Sequence, residues 1–173
     1  MFRLNRTDQP VTPWKNGGGR TRALLTEPAG ATIESFDWRV SVASIDGSGP
    51  FSTFPNIDRT LVLFRGRSLE LLVGGEAHRL ARAGELLEFP GEASVFGTLH
   101  DGRVEALNIM VRRDRFVADV SVVEQGRVSG VLVGLAEHSV VNGEPLAIGD
   151  LVAGDGLEIS GRVVCIRIVR SAS

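Results

Sequence analysis

The residues best placed in sequence to do chemistry together are Trp14-Lys15-Asn16-Gly17-Gly18-Gly19-Arg20-Thr21. Consecutive glycines carry a high backbone-entropy cost on folding and add no side-chain contacts. They belong where the backbone needs positive φ or must approach something closely. The flanking indole, amide, cations and hydroxyl offer a stacking face, amide donors and acceptors, and bare backbone N–H groups to a small polar or anionic ligand. A flexible linker is the alternative. Trp14 suits a linker poorly, however, and the stretch runs directly into the strand-like Ala23-Leu24-Leu25. It is not a phosphate loop, because the Gly-x4-Gly-Lys-Ser/Thr spacing, the preceding strand and the following helix are all missing.

Further along, Asp46-Gly47-Ser48-Gly49-Pro50-Phe51-Ser52-Thr53-Phe54-Pro55 is too rich in Gly and Pro for regular structure, yet carries two large aromatics. Such a loop is expected to pack down over something. Arg59 follows it and opens a strand. A guanidinium there suits a carboxylate through two parallel hydrogen bonds; the alternative is an exposed strand-end charge. Asn108 and Arg112 share one strand face with Ala106 and Met110, opposite Leu107, Ile109 and Val111. An amide among apolar neighbours must be hydrogen-bonded if buried, either to a ligand or to the glycine loop. Trp14 either covers a ligand or packs in the core. The predicted ligand-binding set is Trp14, Asn16, Gly17, Gly18, Gly19, Thr21, Ser52, Phe54, Arg59, Asn108 and Arg112.

Catalytic signatures are weak by comparison. His78, His100 and His138 are far apart and form no His-x-His pair of the kind first-row metal sites use. Ser52 and Thr53 have no histidine nearby in sequence. Cys165, inside the apolar run Val163–Val169, reads as a small buried hydrophobe rather than a nucleophile. Asp58, Glu88, Glu105 and Asp150 exist, but nothing pairs any two of them for acid–base work. No catalytic residue, metal or cofactor is predicted.

The 173 residues bound the chain to one domain or two small fused halves. A net charge of −2, with basic residues that are nearly all scattered arginines, excludes a global field for nucleic acid or an anionic membrane. With a single cysteine no intrachain disulfide is possible. No apolar window reaches signal-peptide or membrane-spanning length, so a cytoplasmic protein is the expectation. The predicted partner is a small molecule, not nucleic acid or membrane. The sequence leaves the oligomeric state open, a homodimer being one arrangement compatible with it.

The elements that must position these residues read as strands. Between Ile33 and Ile45, Phe36, Trp38, Val40 and Val42 alternate with Asp37, Arg39, Ser41 and Ala43, the period of a half-buried strand. Short strands follow at Thr60–Arg65, Leu69–Val73, Ala77–Leu80, Leu86–Phe89, Ser94–Leu99, Val104–Val111, Val117–Val123, Val131–Leu135, Leu157–Ile159 and Val163–Val169. Asp101-Gly102 and Asn142-Gly143 are two-residue hairpin signals. Many short strands between tight turns, with no apolar run at helical spacing, predict an all-β sandwich or barrel. Gly75-Glu76 to Gly84-Glu85-Leu86 is echoed by Gly143-Glu144 to Gly149-Asp150-Leu151, which suggests two related β-barrel halves.

The Trp14–Thr21 stretch resembles the N-terminal signature of the HutD/Ves family. Trp38-Arg39-Val40-Ser41-Val42-Ala43, Gly49–Arg59 and Asn108-Ile109-Met110-Val111-Arg112-Arg113 follow in the family's order. Together they cover roughly the first two thirds of the chain, and the first and third motifs are the specific ones. Glu105-Ala106-Leu107 departs from the family's Asp-Phe before the asparagine. The resemblance implies a cupin-like, RmlC-type jelly roll arranged as a bicupin, here one compact unit over 1–173. Its approximate halves are 1–113 and 114–173, with the N-terminal segment completing the second barrel. The resemblance also implies an association with histidine utilisation and a non-enzymatic, ligand-binding regulatory role, with formiminoglutamate or urocanate as the class of ligand. A cupin-type enzyme, either a metal-dependent oxygenase or a metal-free isomerase, is the alternative. A β-scaffold acting only through protein partners is a third reading.

Overall fold

The computed structural model describes residues 1–172. Apart from one 3-10 turn at Arg6–Asp8, its regular elements are strands. They are β1 (Phe2–Leu4), β2 (Val11–Pro13), β3 (Gly19–Glu27), β4 (Trp38–Ile45), β5 (Gly49–Pro50), β6 (Ile57–Arg65), β7 (Leu69–Val73) and β8 (Glu76–Leu80). There follow β9 (Leu86–Pro90), β10 (Val95–Leu99), β11 (Val104–Arg112), β12 (Phe116–Gly134), β13 (Val140–Val141), β14 (Glu144–Pro145) and β15 (Leu151–Arg170). Among the described residues no helix is long and apolar enough to cross a membrane. The fold is all-β, as the turn-punctuated strand pattern implies, and cupin-like, as the family resemblance implies.

Two compact units form. In residues 10–116 a six-stranded antiparallel sheet, β2-β3-β4-β11-β6-β9, accompanies a four-stranded one, β5-β10-β7-β8. Side chains alternate across each strand. Ala43, Ile45, Leu61, Leu63 and Ala106 of the first sheet pack with Leu69, Leu71, Leu80 and Val95 of the second. The opposite face of β4, β6 and β11 is also buried, at Val40, Val42, Val62, Leu107 and Ile109. Each such side chain contributes about 1.5–3 kcal/mol. A strand buried on both faces therefore tolerates a polar residue on the inner face only where something satisfies it.

Residues 1–9 and 117–170 form the other unit. Here β15 pairs with β1, β12 and β13, and β13 with β14. Leu132, Val141, Leu146, Val152, Leu157, Ile159, Val163 and Cys165 make its core. Cys165 is thus the small buried hydrophobe that its strand predicts, and burial pushes its thiol pKa up.

Three strand expectations change. The segment Val117–Val123 and all of Val131–Leu135 but its last residue are parts of the single strand β12, and Leu157–Ile159 and Val163–Val169 are parts of β15. Glycines between them, such as Gly126 (φ 121) and Gly161 (φ 89), bend the strands instead of ending them. Only Trp38–Ile45 of the Ile33–Ile45 segment is strand, the residues before it forming a turn. Asn142-Gly143 does close a hairpin, with φ of 53° and 80° between the β13 and β14 partners Val141 and Glu144. Asp101-Gly102 does not. It joins β10 to β11, which lie in different sheets, because a tight turn fixes chain reversal but not the pairing partner.

The Gly-Glu echo has a matching hydrogen-bond pattern. Gly84 N–H donates to Leu63 O (2.8 Å) and Leu63 N–H to Glu85 O (2.8 Å). In the other unit Gly149 N–H donates to Gly134 O (2.9 Å) and Gly134 N–H to Asp150 O (3.0 Å). Each turn is closed by a further bond, Glu85 N–H to Arg82 O and Asp150 N–H to Ala147 O, both 3.0 Å.

Candidate functional site

Arg59 lies on β6 in the same alternation as the core residues Leu61 and Leu63, so its side chain is turned inward, and it is 6% exposed. Its guanidinium is enclosed by aromatic rings, 5.0 Å from the centroid of Phe89, 5.3 Å from Phe54 and 5.8 Å from Phe51. Nη1 donates to Ser52 O (3.1 Å) and Nη2 to Asn108 Oδ1 (3.4 Å). Nε is buried and makes no hydrogen bond. Desolvation pushes the Arg59 pKa down to about 10, and among the described residues no carboxylate pairs with it. The Asp46–Pro55 loop therefore packs down as predicted, and what it covers is a cation.

Strand register builds the rest of the site. Asn108 on β11 stands opposite Leu61 on one side and Ser41 on the other, and Ser41 faces Ala23. One step along, Met110 stands between Arg59 and Arg39, and Arg59 faces Phe89. Ser41 is 1% exposed, and its Oγ also makes no hydrogen bond. The site thus contains two unsatisfied buried polar atoms, Arg59 Nε and Ser41 Oγ. Buried polar atoms without partners are rare and costly, and a small acceptor-rich ligand would satisfy them.

The predicted site residues separate into two groups. Trp14, Thr21, Phe54, Arg59 and Asn108 come together. Trp14 Nε1 donates to Thr21 Oγ1 (2.8 Å), and its ring meets Phe51 edge to face at 6.3 Å. Ser52 contributes its carbonyl while its side chain is exposed. Gly19 is buried against the Trp14 ring and the Ser44 carbonyl. Asn16 and Gly17 occupy an exposed turn, in which Asn16 Oδ1 accepts from Gly18 N–H (3.0 Å) and Gly17 takes φ 71. Gly18 O accepts from Asp46 and Gly47 N–H (2.9 and 3.2 Å). Arg112 is held at its strand end by Phe36 O (2.8 Å) and Asp37 (3.6 Å). Arg39, Ser41 and Phe89 stand on the same face and carry no separate signal in the sequence.

The loop is anchored beside the site by Arg113. Its Nε binds Asp58 (2.6 Å), its Nη atoms bind Glu92 (2.7 and 2.9 Å), and its N–H donates to Asn56 O (3.0 Å). The hydrogen bonds from Arg113 hold the Glu92 carboxyl at about 2, below its ordinary 4.5. A depressed folded pKa gives stability that is present above the unfolded value and lost as pH falls through the folded one. Arg113→Gln should therefore lower the melting temperature by a constant amount above about pH 5. Parent and variant curves should converge as pH approaches 2. Parallel curves down to pH 2 would show that the pair contributes nothing.

Among the described residues no three His, Cys, Asp or Glu stand close enough to hold a metal ion. Two open depressions of about 680 and 480 Å³ lie in the other unit, at Gln125–Arg127 with Glu158–Ser160 and around Phe2–Asn5. Their charged lining residues, Arg127, Glu158, Arg3 and Asp8, are exposed.

The site can be set beside known proteins. Protein Ves of Cronobacter sakazakii is 36% identical over 129 residues, covering 72% of this chain and 70% of Ves. An uncharacterised 21.2 kDa protein of the hutC 3' region of Pseudomonas putida is 36% identical over 115 residues, covering 66% of this chain and 60% of that protein. The matched stretch is thus less than two thirds of the P. putida protein. HutD from Pseudomonas fluorescens SBW25, solved in a formate condition, superposes with a TM-score of 0.86 at 28% identity over 99% of both chains. The HutD family profile matches residues 6–144, a span that contains the glycine loop, the aromatic loop, Arg59 and Asn108, and the chain belongs to the HutD family.

Proposed function

We propose that this protein is a non-enzymatic binder of a small carboxylate-bearing metabolite, with a regulatory role in histidine utilisation. One observation carries the reading: a guanidinium buried to 6% exposure, with a free Nε and no carboxylate to neutralise it. A buried charge left unpaired costs several kcal/mol, and a ligand carboxylate is the group that matches its planar fork. Ser41 and Asn108 supply further polar atoms on the same face, and the rings of Phe51, Phe54 and Phe89 exclude water. The hutC-region relative supports a ligand from histidine breakdown, of the formiminoglutamate or urocanate class. In the same reading the two units are the halves of a bicupin, their shared turn pattern being what supports it.

The test is a thermal-shift comparison of small carboxylic acids with their amides. At 100 times Kd an acid should add about 2.7 kcal/mol, or roughly 5–11 °C, and the amide far less. Arg59→Lys keeps the charge but loses the fork, so affinity should fall tenfold to a hundredfold with the apo melting temperature little changed. Equal responses to acid and amide, or an Arg59→Lys protein that binds as well as the parent, would overturn the proposal.

A further inference from the structure

We infer that the ligand carries two acidic groups joined by a short apolar link, and that Arg39 selects for the second. The inference rests on the carboxylate-binding reading of Arg59 and adds a specificity residue to it. Arg39 and Arg59 occupy the same sheet face, each directly opposite Met110 from the strands flanking β11. Adjacent strands are about 4.8 Å apart, so their backbones lie about 10 Å apart with a buried thioether between them.

What distinguishes these two arginines on that sheet is burial without a carboxylate partner among the described residues. Arg65, Arg112 and Arg113, on or beside the same sheet, each meet a carboxylate: Glu105, Asp37 and Asp58 respectively. Among the described residues Arg39 has no ion pair or side-chain hydrogen bond, although it is half-buried and desolvation lowers its pKa. Arg59 is buried, and its Nε is free. Two under-solvated cations on one face repel each other, and two anionic groups would relieve both. Met110, 2% exposed and packed with Phe36 and Ile57, makes the sheet apolar between them. That arrangement suits a methylene chain with a carboxylate at each end better than one compact dianion such as phosphate.

Glutarate and its monoamide differ only in the second charge, and titration calorimetry of both on the full chain tests the inference. The parent should bind glutarate at least about tenfold more tightly than the monoamide, the range of one charge-assisted contact. Arg39→Gln should bring glutarate down to the monoamide's affinity and leave the monoamide unchanged. Arg59→Gln should weaken both. Equal affinity of the parent for the two compounds would overturn the inference while leaving the carboxylate-binding reading standing. So would an Arg39→Gln protein that keeps the preference, or tighter binding of inorganic phosphate than of glutarate. Failure of the folded parent to bind either compound would defeat both. If Arg39→Gln does not fold, Arg39→Lys keeps the charge without the fork and should reduce the preference without abolishing it. The parent's preference for glutarate decides the matter independently of any variant.

Discussion

Arg59→Met protein should melt at or slightly above the parent's temperature while losing at least a hundredfold in affinity for small carboxylates. The two effects share one cause. In the free protein the guanidinium sits out of water with no anion, offset only by three ring faces and two hydrogen bonds, one of them 3.4 Å long. Replacing a buried ionic group by a hydrophobic one of similar volume is often neutral, or stabilising by about 1–4 kcal/mol. Methionine fits the aromatic surroundings, and sulfur–ring contacts are favourable. The Ser52 carbonyl belongs to an exposed residue and can turn to solvent, so only Asn108 Oδ1 is left wanting. Binding has no such compensation, because each charge-assisted hydrogen bond to the ligand is worth about 1.5–3 kcal/mol. Scanning calorimetry and titration calorimetry on the same preparation read both quantities. A fall of ten degrees or more in the apo protein would mean that Arg59 holds the fold together and that the site lies elsewhere.

Gly19→Val should be the most destabilising change in the glycine loop, and Gly18→Val should be mild. A Cβ at Gly19 would run into the Ser44 carbonyl, with Trp14 ring atoms 3.0 and 3.1 Å away. Neither can yield, since Ser44 is part of β4 and Trp14 is pinned by Thr21 and Phe51. Overpacking of this kind costs about 1–3 kcal/mol. Displacing β3 from its neighbour adds to it, for a melting-temperature drop of roughly 6–12 °C at about 3 kcal/mol. At Gly18 a Cβ would meet only the Asn16 amide at 3.4 Å, an ordinary contact, and φ there is not positive. Thermal unfolding of the two variants side by side decides the matter, and equal losses would contradict the packing argument.

The contrast between Gly18 and Gly19 shows where the sequence was legible. A glycine run flanked by an indole announces close backbone approach, but three identical residues do not reveal which of them bears it. Arg59 and Asn108 stand out because a cation after an aromatic loop and an amide in an apolar strand are each chemically out of place, and the structure buries both. Arg39 and Ser41 escaped notice for a physical reason. In a period-two strand a polar residue reads as facing water, and a polar face that is buried has the same composition as one that faces solvent. The all-β class followed from turns and alternation. The long strands β12 and β15 did not, because glycine marks a bend and a strand end in the same way. Asn142-Gly143 could be read as a hairpin and Asp101-Gly102 was misread, since pairing across sheets is set by which faces are buried, not by the turn.

The shared turn pattern has a consequence for how much the chain can hold. Leu63 and Gly134 exchange the same pair of hydrogen bonds with their respective Gly-acid turns. Counting back four residues from each reaches Arg59 in one unit and Gly130 in the other. At Gly130 a Cβ would already collide with the backbone at Ile166 (2.5 Å from its carbonyl oxygen), and φ is 135. No long side chain, cationic or otherwise, fits there. Among the described residues the one buried polar side chain in that unit is Ser139, whose hydroxyl donates to chain carbonyls. Among the described residues the shared turn pattern is thus accompanied by a buried cation in one unit only. Under the proposed carboxylate-binding reading, the expected stoichiometry is one ligand per chain.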